Sequence, residues 1–338
     1  MTPTVPSSLD PHGARLIAAD VGGTHARVGL VHASPGRTPF IVQQHKYACA
    51  DFSGLAAILR SFMETVGIRS LDHAAVAIAG VLDGDTLLNA NLPWSVSLAR
   101  TRTESGLRHL EIINDFEALA FAMPHVDRTQ AVLLTGHAVE PGSGATLVLG
   151  PGTGFGAALR MPGPPARVLA SEAGHASLTA GNETELGILR WLLQRYPHAD
   201  NERVLSGPGL VNAYRALCEM HGVAPALEQP AQITASAERG EDPIAVEALQ
   251  VFCGLLGSLA GDLVLSMGAQ EVCIAGGIPS QITPFLQNSD FVARFLNKGR
   301  LRPVLERTPV WLVEHGSLGI IGASSWYAES HLRSRAAA

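Results

Sequence analysis

The sequence predicts an α/β protein of two domains, each with a mixed sheet flanked by helices, and three observations lead to this prediction. The chain has 338 residues, 46% hydrophobic and 16% charged, enough for two separate cores. Short apolar runs typical of buried strands alternate with segments of helical spacing. The strings LIAADVGGT (16–24) and TLVLGPGTG (146–154) align, with Asp20 on Gly150 at an offset of 130 residues. We read this match as an internal duplication that gives two domains facing each other across a cleft, with chance similarity of two glycine hairpins as the alternative.

The first half of the chain supplies the elements of one such domain. Residues 16–31 are predicted to form a strand, a glycine turn and a second strand, because a continuous apolar run is followed by a glycine pair and an alternating run. Residues 52–67 have helical spacing and end at a glycine. Residues 73–80 indicate a short buried strand. The run 109–124 changes from strand to helix at Asn114–Asp115, and its final proline ends the helix.

The second half repeats this arrangement. Residues 145–160 again indicate a strand, a glycine turn and a strand. Helical spacing follows in 186–196 and 248–269, and EVCIAGGI (271–278) indicates a buried strand that ends at a double glycine. The strings TPVWLVEH and SLGIIGASSWYAES then predict a late strand and a final helix.

Composition excludes several classes of protein. The formal net charge is −6 with no basic block, so we expect no nucleic-acid partner. Residues 1–13 lack the basic and apolar regions of a signal peptide, and the apolar run 252–267 is broken by Asp262, so it predicts a buried helix and no membrane partner. The cysteines are far apart, form no C-x-x-C pair and are expected to be reduced and buried: Cys49, Cys218, Cys253 and Cys273. We therefore expect a cytoplasmic protein.

Three glycine-rich turns are candidate phosphate sites: Gly22-Gly23-Thr24, Gly152-Thr153-Gly154 and Gly276-Gly277. Residues 152–157 (GTGFGA) fit the dinucleotide fingerprint, but prolines follow where a helix would have to begin, so we reject that interpretation. The chain has no Gly-Lys pair and only two lysines, which excludes a P-loop. Phosphates would therefore bind backbone N–H groups, threonine hydroxyls and a metal ion. Asp20 suits Mg²⁺ held through water, with a purely structural role in its turn as the alternative.

Polar residues at the ends of predicted strands are candidates for sugar chemistry. Asp115 follows a buried strand and could accept a proton from a substrate hydroxyl, although it could equally cap the following helix. Glu172 and His175 flank a glycine and could form a salt-bridged loop, two polar contacts to one sugar, or metal ligands; the last is weak without a further cysteine or histidine nearby. Glu202 comes shortly before Gly207-Pro-Gly, which we expect to be a tight turn.

At these residues the chain resembles the bacterial-type glucokinases, ATP:glucose 6-phosphotransferases of the hexokinase/actin/Hsp70 superfamily. The resemblance covers nearly the whole chain and rests on the strings ADVGGTHARVGL, EIINDFEALA, GPGTGFGAA, SEAGHASL, ERVLSGPGLVNAY and CIAGGI. It implies two ribonuclease H-like (actin/hexokinase-type) domains: a small one at 14–125, rejoined by a C-terminal helix at 316–332, and a large one at 126–315. It also implies ATP and Mg²⁺ as cofactors and a homodimer. The related repressor/open-reading-frame/kinase group adds a cysteine-rich zinc loop, and because this chain has no such cluster of cysteines we expect no zinc.

The resemblance also implies roles for individual residues. Asp115 would be the base that deprotonates the 6-hydroxyl of glucose. The residues expected to bind the other sugar hydroxyls are Asn114, Glu172, His175 and Glu202. Those expected to bind ATP are Ala19, Asp20, Val21, Gly22, Gly23, Thr24, Gly152, Thr153 and Gly154 at the phosphates, with Gly276 and Gly277 at the adenosine. Two departures, His25 for a common Asn and Ala173 for a frequent Gly, put affinities in doubt. A kinase for mannose or fructose, or a non-catalytic regulator that senses sugar and ATP, remain the alternatives.

Overall fold

The computed structural model describes residues 13–88, 92–137 and 143–333. The strands in these ranges are β1 (Ala14–Val21), β2 (His25–Ala33), β3 (Phe40–Ala48), β4 (His73–Ile78), β5 (Val81–Asp83), β6 (Thr86–Leu88), β7 (Val96–Ser97), β8 (His109–Ile113), β9 (Val132–Thr135), β10 (Thr146–Pro151), β11 (Phe155–Met161), β12 (Arg167–Ser171), β13 (Glu271–Ile274) and β14 (Val310–Leu312). The helices are α1 (Leu55–Thr65), α2 (Leu98–Ser105), α3 (Asp115–Ala122), α4 (Glu183–Leu193), α5 (Gly207–Met220), α6 (Pro230–Arg239), α7 (Pro243–Met267), α8 (Gly277–Gln281), α9 (Thr283–Asn288), α10 (Phe291–Leu296), α11 (Arg302–Glu306) and α12 (Leu318–Tyr327).

The chain divides into two compact units. The first contains the described residues up to Val126, Pro162–Val168 and the described residues from Gly316 onward; the second contains Asp127–Met161 and Leu169–His315. The segment Pro162–Val168 is thus grouped with the first unit, although the sequence places it in the middle of the second half. The assignment of the two domains, with boundaries at 125 and 315, stays a prediction.

The first unit is built on a five-stranded sheet of order β3-β2-β1-β4-β8. Strands β1, β4 and β8 are parallel, and β2 and β3 extend the sheet as antiparallel strands. The central strand β1 is buried on both faces: Ile17 belongs to one core cluster with α1, and Leu16 belongs to another with α12. Burial on both faces explains why β1 is a continuous apolar run in the sequence.

The second unit is built on a six-stranded sheet of order β12-β11-β10-β13-β14-β9. Here β10, β13 and β14 are parallel, whereas β11 pairs antiparallel with β10 and β9 pairs antiparallel with β14. Helix α7 is long and apolar enough to cross a membrane by length and composition, yet 72% of its apolar window is buried inside the protein. It is therefore the buried core helix that the sequence predicts.

The two sheets share one topology. The first five strands of the second sheet, β12-β11-β10-β13-β14, match β3-β2-β1-β4-β8 in order. The pairings of β11 with β10, β10 with β13 and β13 with β14 also have the same directions as those of β2 with β1, β1 with β4 and β4 with β8. Asp20 pairs with Arg27 across the first hairpin, and Gly150 pairs with Gly156 across the second. The duplication inferred from the aligned strings is therefore present as a repeated sheet, to which β9 adds a sixth strand. The four cysteines are buried and free, as predicted.

Candidate active site

In the first unit, candidate residues lie at one edge of the sheet. Because β1, β4 and β8 are parallel, their carboxyl ends meet at the same edge. Asp20 lies near the end of β1, and Asn114 and Asp115 directly follow β8. Neighbouring strands are about 4.8 Å apart, so the ends of β1 and β8 are separated by roughly 10 Å. The fold therefore gathers Asp20 and Asp115 at one sheet edge from positions 95 residues apart in the chain.

The loop between β1 and β2 is fixed by the segment that follows β3. Within the loop, the Gly22 N–H donates to the carbonyl of His25 at 3.0 Å. The Cys49 N–H donates to the carbonyl of Thr24 at 2.9 Å, and the Cys49 thiol donates to that of Gly22 at 3.3 Å. Gly22 and Thr24 nevertheless remain exposed. The turn is thus an ordered, accessible piece of backbone, which is what a phosphate cradle requires.

Asp20 lies against the first turn of α12. A Cβ atom built on Gly319, the second residue of α12, would lie 2.4 Å from Asp20 Cγ and 2.6 Å from Oδ2. Only glycine allows this approach, and the position places a carboxylate beside the positive end of a helix dipole. Among the described residues, no cluster of three or more His, Cys, Asp or Glu side chains is arranged to hold a metal.

The helix cap before α3 differs from the predicted alternative. The N-cap is Asn114, whose Oδ1 accepts hydrogen bonds from the Phe116 N–H at 2.9 Å and the Glu117 N–H at 3.2 Å. Asp115 is the first helical residue, and its Oδ1 accepts a second bond from the Phe116 N–H at 3.0 Å. The suggestion that Asp115 caps the helix is therefore wrong in position. Since Asn114 satisfies these donors, the helix does not depend on the Asp115 carboxylate.

Glu117 is a residue that our sequence reasoning missed. Its carboxylate accepts a hydrogen bond from the backbone N–H of Asn114, and that bond lowers its pKa, but burial has the larger effect and raises the pKa above its usual value. Asn114 and Glu117 thus bond each other reciprocally, as in a capping box. The Asn-x-x-Glu spacing after a strand was the available signal. Glu117 helps to hold the segment that carries Asp115.

In the second unit, Glu202 is anchored on the loop between β10 and β11. The Gly152 N–H donates to the Gly154 carbonyl at 2.7 Å, which closes the loop. One oxygen of Glu202 accepts a hydrogen bond from the Phe155 N–H at 2.8 Å. A Cβ built on Gly154 would lie 2.6 Å from that same oxygen. Glycine at 154 thus leaves the space that the carboxylate occupies, although 48 residues separate the two positions.

The Glu172–His175 loop lies against Phe155, the first residue of β11. A Cβ on Gly174 would come 2.7 Å from the Phe155 carbonyl oxygen, so this loop also requires glycine for its close approach. His175 Nε2 is 3.9 Å from Glu172 Oε2, and the two side chains are 60% and 77% exposed. Such an exposed pair contributes little to stability, which leaves both side chains available for a ligand. Ala173, one of the two departures, is buried and its methyl group joins the core of the second unit.

The third glycine pair lies beside the second. A Cβ on Gly276 would be 2.8 Å from the Pro151 carbonyl oxygen, and its φ of +115° also requires glycine. Gly276 caps α8, and Gly277 is its first residue. The second unit therefore brings together, at one end of its sheet, the following candidates: Gly152, Thr153, Gly154, Glu172, His175, Glu202, Gly276 and Gly277.

The string Gly207-Pro208-Gly209 is not the tight turn that the sequence suggested. It forms the first turn of α5, with Ser206 as N-cap accepting from the Gly209 N–H at 2.9 Å. Proline is tolerated there because the first helical N–H groups need no partner within the helix. The Gly207 N–H also donates to the Gly152 carbonyl at 2.8 Å, so the start of α5 supports the phosphate-binding candidate loop.

Comparison with known proteins finds relatives that match nearly the whole chain. The family model for glucokinase matches residues 17–330. A glucokinase-like protein of Xylella fastidiosa (strain 9a5c) is 44% identical over 329 residues, covering 95% of this chain and 97% of that protein. A glucokinase of Chromobacterium violaceum is 38% identical over 321 residues, covering 94% and 90%. The crystal structure of a glucokinase from an Antarctic psychrotroph superimposes with a TM-score of 0.82 at 35% identity, covering 94% of this chain and 99% of that one.

Together with the duplicated fold, these matches place the chain in the class of ATP-dependent hexose kinases. Within that class, the chain belongs to the glucokinase family. The family, the fold class and the enzyme class predicted from the sequence are thereby confirmed.

Proposed function

We propose that this protein transfers the γ-phosphate of ATP to the 6-hydroxyl of D-glucose, giving glucose 6-phosphate and ADP. The proposal rests on family membership and on one structural observation. The Glu202 carboxylate sits on the glycine loop 152–154, and the Glu172–His175 loop lies against the residue that follows this loop. Groups suited to sugar hydroxyls are thus fixed beside backbone suited to phosphates, as phosphoryl transfer between the two requires.

We assign the roles unit by unit. In the first unit, Asp115 accepts the proton of the 6-hydroxyl as it attacks the phosphate, and Asn114 binds a neighbouring hydroxyl through its amide nitrogen, since its oxygen caps α3. In the second unit, Glu172, His175 and Glu202 bind the remaining hydroxyls. Backbone N–H groups of 22–24 and 152–154 bind phosphates, with Ala19 and Val21 flanking Asp20, and Gly276 and Gly277 lie at the adenosine.

Asp20 suits a site for the Mg²⁺ ion that is bound together with the phosphates of a nucleotide. Mg²⁺ commonly binds one or two carboxylates while phosphates and waters complete its octahedron. The carboxylate of Asp20, near the end of β1 and next to the exposed turn at 22–24, would supply one such ligand. Bound through water at Asp20, Mg²⁺ would offset the negative charge that the phosphates carry.

The test is a coupled assay with ATP, Mg²⁺ and a panel of hexoses, compared by kcat/KM. Glucose should give the highest value, because equatorial hydroxyls matched to fixed carboxylates are distinguished from misplaced ones by the unpaired polar groups that a mismatch leaves. A higher kcat/KM for mannose or fructose would reassign the substrate. If no sugar of the panel stimulates ADP formation, the result would instead favour a non-catalytic sensor.

We further propose that the protein is a cytoplasmic homodimer, as the family resemblance implies. The support is indirect: the buried, free cysteines suit a reducing compartment. Light scattering coupled to size-exclusion chromatography should give a mass of about twice the 35.5 kDa of the chain. A concentration-independent mass equal to one chain would contradict the dimer.

A further inference from the structure

Asp200 lies behind His175 and is nearly buried. His175 Nδ1 is 3.6 Å from Asp200 Oδ2, and the Asp200 side chain is only 11% exposed, whereas that of His175 is 60% exposed. The other oxygen, Oδ1, accepts a hydrogen bond from the Arg203 N–H at 3.0 Å and so caps the short helical turn Asn201–Arg203 that carries Glu202. The two oxygens of one carboxylate therefore face two different parts of the candidate sugar site.

Hydrogen bonds hold the backbone that carries His175. The carbonyl of His175 is hydrogen-bonded to His198 Nε2 at 3.0 Å. The neighbouring carbonyl of Ala173 accepts a hydrogen bond from Asn201 Nδ2 at 3.0 Å. Both ends of the loop are thus tied to the segment 198–201, so the backbone that carries the imidazole is fixed relative to Asp200. On its other side, His175 Nε2 faces Glu172 Oε2 at 3.9 Å.

We propose that Asp200 is the positioning residue of this sugar site: it accepts the Nδ1 proton of His175 and thereby sets which hydrogen-bonding group Nε2 presents to a sugar hydroxyl. A carboxylate can only accept hydrogen bonds, so a hydrogen bond between Asp200 and the ring requires a proton on Nδ1. In the neutral ring, Nε2 is then an acceptor, next to the accepting oxygens of Glu172. Adjacent hydroxyl groups of a sugar supply the donors for such a pair. The inference rests on the proposed function, since it assumes that His175 binds a sugar.

Asp200 also caps the turn Asn201–Arg203, so variants that keep this cap can separate its effect on His175 from a purely structural role. In Asp200→Asn, the amide oxygen is needed by the Arg203 N–H, so the amide NH₂ is left facing His175 and should donate to Nδ1. The proton then moves to Nε2, and the polarity of the ring toward the sugar is reversed. In Asp200→Ser, the hydroxyl still caps the turn but is too short to reach the ring. Asp, Asn and Ser are comparable helix caps, so a purely structural role predicts wild-type behaviour for both variants.

The experiment measures glucose and ATP kinetics of both variants. We expect the KM for glucose to rise about tenfold, because one well-formed hydrogen bond to the sugar is lost. The kcat should change less than about threefold, and the KM for ATP should not change. The matched control is Asp127→Asn, because Asp127 caps another short turn of the second unit by accepting from the Thr129 N–H at 2.9 Å. It should behave as the wild type does.

A double-mutant cycle with His175→Gln identifies the route of the effect. If Asp200 acts through His175, Asp200→Asn should add no further increase to the KM for glucose in the His175→Gln background. A KM within twofold of wild type in both Asp200 variants, or the same tenfold increase with His175 absent, would overturn the inference.

A second readout does not depend on catalysis. Nitrogen-15 spectra of the histidine rings without sugar should show the proton of neutral His175 on Nδ1 in the wild type and on Nε2 in Asp200→Asn. An unchanged tautomer overturns the inference even in an active enzyme. If the wild type phosphorylates no hexose, the proposed function fails while this spectroscopic result still decides what Asp200 does to His175.

Discussion

Replacing Asp115 by asparagine should abolish most of the phosphoryl transfer while leaving the fold intact. A positioned general base contributes about 10²- to 10⁴-fold, so we expect kcat to fall by at least about 100-fold, or roughly 2.7 kcal/mol of transition-state free energy. The cost to stability is much smaller. Asn114 already accepts the hydrogen bonds of the Phe116 and Glu117 N–H groups. The substitution removes the favourable interaction of a charge with the first turn of the helix, about 0.3–1 kcal/mol.

The helix α4 offers a matched control. There Asn182 is the N-cap, accepting from the Glu185 N–H, and the exposed Glu183 is the first helical residue, so Asn182–Glu183 repeats the arrangement of Asn114–Asp115. Glu183→Gln should lose the same fraction of a kcal/mol and no activity. The assay is coupled ADP release at saturating glucose and ATP, with urea unfolding in parallel. A kcat for Asp115→Asn within about threefold of wild type, or a loss explained by unfolding, would refute its assignment as the base.

Three further changes test the framework around the site. Gly174→Ala places a methyl group 2.7 Å from the Phe155 carbonyl oxygen, so urea unfolding should show a loss of about 1–3 kcal/mol and the KM for glucose should rise as the loop shifts. For Glu117, burial raises the pKa above the usual 4.5, so the native carboxyl binds its proton more tightly than the unfolded one does. The resulting contribution of Glu117 to the free energy of unfolding is present below pH about 4.5 and is lost as the pH rises through the native pKa. The free energy of unfolding of the wild type, measured relative to that of Glu117→Gln, should therefore fall between pH 4 and 8. A rise over this range would contradict the reasoning. Arg294→Met leaves the 2%-exposed carboxylate of Glu185 without its cationic partner, which should cost about 3–5 kcal/mol of unfolding free energy, and adding Glu185→Gln should recover much of the loss.

The core elements were predictable because their signals are local. The hairpins at both glycine turns, the strand that precedes Asn114 and the buried helix α7 follow from apolar runs, periodicity and punctuation by glycine and proline. The rejection of a dinucleotide loop at 152–157 also depended only on local sequence, and β11 indeed continues through the residues where a helix would have been needed. Where the local signal was ambiguous, the prediction was wrong. The string Gly207-Pro-Gly is equally compatible with a tight turn and with the first turn of a helix. It forms a helix here because the Ser206 hydroxyl caps the N-terminus of α5.

By itself, the sequence determined the duplicated α/β architecture, the family and the residue types available for phosphate and sugar binding. These follow from patterns that repeat or that stand next to each other in the chain. Only the tertiary structure decided which distant residues share a site: Glu202 with Gly154, Gly276 with Pro151, and Asp200 behind His175. The physical reason is close packing, since a glycine without a side chain, or a carboxylate with two differently directed oxygens, acquires its role from atoms that approach it from elsewhere in the chain.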